Sequence, residues 1–222
     1  MSFRPGSGRS ERWERSPVDL DFYRIFVTLF AVVMSITVHE FAHAASAVMA
    51  GDDTPRRQGR ISLNPVDHFD PVGFIMIVFM TVTGFGIGWG KPVMVNPANF
   101  RNPRRDDVLV SLWGPASNII MATVCAILLR TGVLAFTPGI RYFLIIMVVV
   151  NIGLALFNLI PLPPLDGSHI LAGILPPESA RSYTQFASQY GMAILLLLLV
   201  TGGVRLIIGP PRDLLMTLLL GR

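Results

Sequence analysis

Phe22–Ala50 is an apolar run that carries His39, Glu40 and His43 in its second half. Its length exceeds the ~20 residues needed to cross the hydrocarbon of a bilayer, so it reads as a membrane helix that Gly51 caps. Ionisable side chains at that depth are costly and mark functional sites. Here they spell H-E-x-x-H. Two histidines four apart share one helix face, about 6 Å apart along the axis. Two imidazoles can then grip one zinc ion, and the glutamate beside them is placed to act as general base on water. The bland alternative is a chance match, with both histidines satisfied by neighbouring helices. The chain has four histidines, so a pair at this spacing around a glutamate is a poor candidate for accident.

Composition supports the membrane reading. The 222 residues are 52% hydrophobic and 14% charged, outside the range of ordinary soluble domains. Basic residues fall between the apolar runs, which suits membrane loops and argues against a nucleic-acid partner. Cys125 is the only cysteine, so an intrachain disulfide and a cysteine-type zinc site are excluded; its apolar neighbours predict an inert packed thiol. Residues 1–19 read as a disordered polar tail without a cleaved signal peptide, and residues 20–222 as one domain.

Four further apolar segments follow: Val72–Gly88, Val108–Leu129, Tyr142–Ile160 and Tyr190–Ile208. The first of these dissolves into Thr81, Thr83, Gly84, Gly86 and Gly88, which favours a segment that dips into the membrane and returns. That path would let the helices of His39 and of Tyr142–Ile160 run parallel; a full crossing would separate their ends. Two polar stretches, with Ile61–Leu63 and Val93–Val95 at their centres, predict a small β element beside the membrane. The expected fold is therefore an all-α polytopic membrane protein. It has four to five membrane helices, a re-entrant or short segment, and that β element.

A catalytic zinc site takes a third protein ligand and keeps one position open. No third histidine follows at the spacing that soluble H-E-x-x-H enzymes use. Asp166 is the best candidate, in N-L-I-P-L-P-P-L-D-G from Asn158 to Gly167. An Asp-Gly turn at a helix end is the plain reading. Against it, prolines break the helix near the membrane, where irregular backbone survives only beside protein or a watery cavity. His68 is a weaker candidate for an extra ligand or gate, and His169, three residues after Asp166, for a hydrogen bond to a ligand. Asn118 reads most simply as an interhelical hydrogen bond, Gly114 as close packing, Pro115 as a kink, and Trp89 and Trp113 as interface anchors.

Three motifs occur in order: H-E-F-A-H at His39–His43, G-P-A-S-N at Gly114–Asn118, and the proline-rich motif ending in Asp166-Gly167. Together they resemble the site-2 protease family of intramembrane zinc metalloproteases. Gly59–Pro65, His68–Pro71 and Gly88–Val93 are similar to its compact bacterial branch. The resemblance spans most of residues 20–175. It implies one zinc ion per chain on His39, His43 and Asp166, Glu40 as catalytic base, and Asn158 as a catalytic residue holding substrate or the oxyanion. It also implies a bacterial inner-membrane location with the site nearer the cytosol.

The expected activity is zinc-dependent endopeptidase cleavage of transmembrane segments, with a single-span membrane protein as substrate and the lipid bilayer as surroundings. The alternative is a non-hydrolytic zinc-binding membrane protein, a transporter or an adaptor. A transporter would be expected to place ligands along a pathway through several spans, whereas here they gather in two motifs.

Overall fold

The computed structural model describes residues 22–84, 86–133 and 137–221; the polar tail over 1–19 lies outside the described residues. Among these, the elements are helices and extended coil: α1 (Phe22–Ala50), α2 (Thr54–Arg57), α3 (Pro71–Thr83), α4 (Pro103–Thr131), α5 (Pro138–Asn158), α6 (Asp166–Ile174), α7 (Pro177–Val200) and α8 (Gly203–Leu220), with short 3-10 turns at Pro65–His68 and Pro97–Asn99. Four of them, α1, α4, α5 and α7, are long and apolar enough to cross a membrane.

The core is a bundle of α1, α4 and α5. Small residues let the helices approach: Ala31 meets Ala122, Cys125 and Ala126, with Leu144, Met147, Val148 and Ile152 filling the third side. Lipid supplies no hydrophobic drive between helices, so close packing of small side chains carries the association. Cys125 is buried in this cluster, as its neighbours predicted. Contacts fix the directions. His39 and His43 meet Asn118 and Val110 respectively, so α1 and α4 are antiparallel. Tyr23 meets Tyr142 and Ser35 meets Asn151, so α1 and α5 are parallel.

The parallel pair depends on α3. Its 13 residues span about 20 Å, well short of ~30 Å of hydrocarbon. Gly84 ends it in the left-handed region, at φ 73°. The chain then returns along the helix it has just left. Gly88 lies against Ile77 and Trp89 against Gly73, with no space for a Cβ at either glycine. Lys91 N–H closes the path on His68 O at 2.9 Å. The two ends of the segment therefore lie together, the geometry that its glycine-rich end suggested.

Two expectations need correction. The β element is absent: among the described residues there is no strand, and Ile61–Leu63 and Val93–Val95 are irregular or extended. Side chains take the backbone groups that a ladder would have used. Arg60 donates to Lys91 O at 3.1 Å and Pro92 O at 2.8 Å, Glu40 accepts from Val93 N–H, and Asp52 accepts from Asn96 N–H. The segment Tyr190–Ile208 is not one span. It breaks at Gly202, which takes φ 76° between α7 and α8, and α7 begins thirteen residues earlier, at Pro177.

Candidate active site

The two imidazoles are held from behind. His39 Nδ1 lies 2.7 Å from Asn118 Oδ1, and His43 Nδ1 lies 2.8 Å from the Val110 carbonyl. Both partners are oxygen acceptors, so each ring carries its proton on Nδ1 and turns the Nε2 lone pair forward. Those Nε2 atoms are 3.0 Å apart. Gly114 of α4 makes this possible, because a Cβ there would overlap both rings. Pro115, inside α4, is fully buried beside it.

Asp166 arrives from the other direction. α5 ends at Asn158, and a proline turn redirects the chain through Leu162 N–H to Ile160 O and Leu165 N–H to Leu162 O. Gly167 lets the start of α6 lie directly on the carbonyls of Leu159 and Ile160. Asp166, the first residue of α6, then sets Oδ2 3.2 Å from His39 Nε2 and Oδ1 3.2 Å from His43 Nε2. Three ligand atoms thus lie within 4.8 Å of one another. Asp166 Oδ2 is buried and lacks a hydrogen-bond donor, which follows from the proton sitting on Nδ1 of His39. Two imidazole nitrogens and a carboxylate converge on one point, an arrangement that a cation placed there stabilises. Two imidazoles and a carboxylate are a fitting donor set for zinc with a position left open.

Glu40, next to His39 and half-buried, accepts the Val93 N–H on Oε2 at 3.0 Å. Among the described residues, Asn158 makes no hydrogen bond to the cluster; its amide donates to Leu154 O, 3.0 Å away. His68 is also outside the cluster: its Nε2 pairs with Ser62 O at 2.8 Å, and its Nδ1 is buried without a partner. His169 faces Asp107, at 3.3 Å.

Sequence reasoning passed over two contributors and left a third without its partner. Asn118 reads from sequence as an interhelical hydrogen bond, and the residue it holds is His39. Asn151, itself hydrogen-bonded to Asn118, is a lone amide in the apolar stretch from Leu144 to Leu156, and its cost there was the available signal. Arg60, 3% exposed, organises the segment that reaches Glu40; an arginine in a polar loop gives no such hint.

A buried cluster of two histidines and a carboxylate, between helices long enough to span a bilayer, is the arrangement expected of a membrane metallopeptidase. The comparisons agree. The profile of Peptidase family M50 matches residues 132–200, which include Asp166. The Bacillus subtilis (strain 168) protein YwhC, named as a candidate zinc metalloprotease, is 43% identical over 180 residues, covering 78% of this chain and 80% of its own. Rip2 of Mycolicibacterium smegmatis, named in the same way, is 29% identical over 82% of this chain and 70% of its own; Rip2 of Mycobacterium tuberculosis H37Rv is 30% identical over 81% and 69%. No solved structure matches. The chain belongs to Peptidase family M50. It is accordingly an integral membrane metalloprotease whose metal is zinc.

Proposed function

We propose that this chain cuts peptide bonds within transmembrane segments of single-span membrane proteins, using His39, His43 and Asp166 as zinc ligands and Glu40 as base. The observation that carries the proposal is the meeting of α1 and α6 side chains at one point between membrane-length helices. Bound there, zinc would polarise the scissile carbonyl and lower the pKa of water toward neutrality. Glu40 takes the proton of the attacking water on its carboxylate and delivers it to the leaving amine. Val93 N–H holds one carboxylate oxygen, which fixes the direction from which the other receives the proton. Asn158, at the end of α5, has an amide N–H beyond the one given to Leu154 O and is assigned to the developing oxyanion.

A transmembrane helix hides its peptide groups, so it must unwind locally to be cut. The unwound backbone then needs partners where bulk water is absent. The stretch Lys91–Val95 can supply them. It lies outside any helix or strand, Met94 is exposed, and no hydrogen bond of Met94 or Val95 backbone occurs among the described residues. Addition of substrate along this edge places its peptide bonds beside Glu40. The proposed unit is a single domain over residues 20–222 in a bacterial cell membrane, with the site nearer the cytosol; bacterial relatives support the first of these locations.

Mass-spectrometric mapping of the cut tests the proposal. Purified protein is incubated in detergent with a peptide consisting of one apolar span and two soluble flanks. New termini inside the span support it. Cuts confined to the flanks would show a membrane-anchored protease for soluble loops instead.

A further inference from the structure

The polar interior of the bundle holds more than the ligands. Ser35, Asn118 and Asn151, from α1, α4 and α5, have no solvent-accessible surface, and they form one directed chain. The Ser35 hydroxyl donates to Ala31 O at 2.7 Å, so its oxygen is left to accept. Asn151 Nδ2 donates to that oxygen at 2.9 Å and to Met147 O at 2.8 Å. Both N–H groups of Asn151 are therefore spent, and its Oδ1 points at Asn118. Asn118 Nδ2 donates to Asn151 Oδ1 at 2.8 Å and to Ser35 O at 3.1 Å. Its own oxygen is consequently aimed at His39 Nδ1, 2.7 Å away.

Each amide orientation in this chain dictates the next. A reversed Asn118 would present N–H to His39 Nδ1. The imidazole would then accept there, carry its proton on Nε2, and lose the lone pair that faces His43 and Asp166. Asn151 opposes that reversal, because its oxygen accepts from Asn118 and its N–H groups are committed elsewhere.

We infer that Asn151 is a positioning residue for the metal centre: acting through Asn118, it sets the tautomer of His39 and so the affinity for zinc. The inference rests on His39 being a ligand. It differs from a packing role, because what matters is an acceptor atom at one place. Partners that orient ligating histidines typically contribute 10–100-fold in metal affinity.

The test is chelator competition for zinc on the purified full-length protein, alongside its melting temperature in detergent. Asn151→Leu keeps the volume and removes the acceptor; Asn151→Asp keeps an acceptor at the same position. Zinc affinity should fall at least ~10-fold in the leucine variant while melting is maintained, and the aspartate variant should stay close to wild type. Equal affinity of the leucine variant and wild type overturns the inference, as does equal loss in both variants. Nitrogen-15 spectra of chelator-treated wild type add a measurement that needs no variant: a proton on His39 Nδ1 supports the inference, and one on Nε2 overturns it. His39→Ala separates the levels. If it binds zinc like wild type, the ligand assignment itself fails; if it loses zinc while the leucine variant does not, only the role of Asn151 fails.

Discussion

The backbone N–H of Val93 donates to Glu40 Oε2 across 3.0 Å, joining the extended return of the re-entrant segment to the glutamate of α1. That contact depends on Arg60. Its guanidinium donates to the carbonyls of Asp67, Lys91 and Pro92, and so ties the loop before α3 to the segment after it. A planar fork suits three carbonyls in a way that a single ammonium does not. Arg60→Met leaves these acceptors short of a donor, at about 1–3 kcal/mol for each one that stays buried. Cleavage should fall at least ~10-fold with zinc content unchanged, and Arg60→Lys should restore little of it. Parallel measurement of cleavage and bound zinc checks this; wild-type cleavage in Arg60→Met would break the link from Arg60 to Glu40.

Gly114 gives a second prediction. A Cβ at this position would overlap the imidazoles of both His43 and His39. Gly114→Ala must push the rings or α4 aside, and a displacement near 1 Å at a reacting centre costs on the order of 100-fold. Zinc binding and cleavage should both drop, whereas a glycine serving only helix packing would show the loss in thermal stability alone.

Met94 tests the substrate edge. Proline there removes an N–H that the folded chain does not use. Met94→Pro should lower cleavage of a spanning substrate and leave zinc bound. Normal cleavage by this variant would remove the edge from the mechanism.

Asp52 sets a pH dependence outside the membrane. Burial raises its carboxyl pKa, but hydrogen bonds from Asn96 N–H, Asn99 and Thr54 outweigh it and hold the group below its ordinary value. A depressed folded pKa stabilises the protein above the unfolded value of about 3.9, and the contribution is lost as pH falls below it. Melting temperatures of wild type and Asp52→Asn should differ at neutral pH and converge in acid. A gap that persists in acid would rule out this ionisation as the cause.

Much of the site was legible because its chemistry is local. The four-residue spacing of His39 and His43, and the prolines before Asp166, announce themselves in sequence. The topology was partly legible: the glycines at 84, 86 and 88 predicted a returning segment, and the contact of Trp89 with Gly73 realises it. The β element was misread because the alternation in Ile61–Leu63 and the prolines around Val93–Val95 signal extended chain without saying what will pair with it. Arg60, Asp52 and Glu40 pair with it instead, and such long-range side-chain contacts leave no local pattern. Asn118 and Asn151 were illegible as a pair for the same reason, since only the packing of α4 against α5 brings them together.

The re-entrant path predicts a labelling pattern. Asp52 accepts from Asn99 at 2.8 Å, so the ends of α1 and of the 86–99 segment lie together. Cysteines placed at the exposed Asp53 and Ala98 should react with an impermeant reagent from the same side; the sole native thiol, Cys125, is buried. Labelling from opposite sides would mean that α3 belongs to a full crossing.

The most direct measurement compares wild type with Glu40→Gln on a co-expressed single-span substrate, with bound zinc determined on the same preparations. Glutamine keeps the shape and the acceptor for Val93 N–H but cannot take a proton. Both proteins should bind one zinc per chain, and cleavage by the variant should fall about 100-fold or more. Cleavage by Glu40→Gln at the wild-type rate would contradict the role of Glu40 as base.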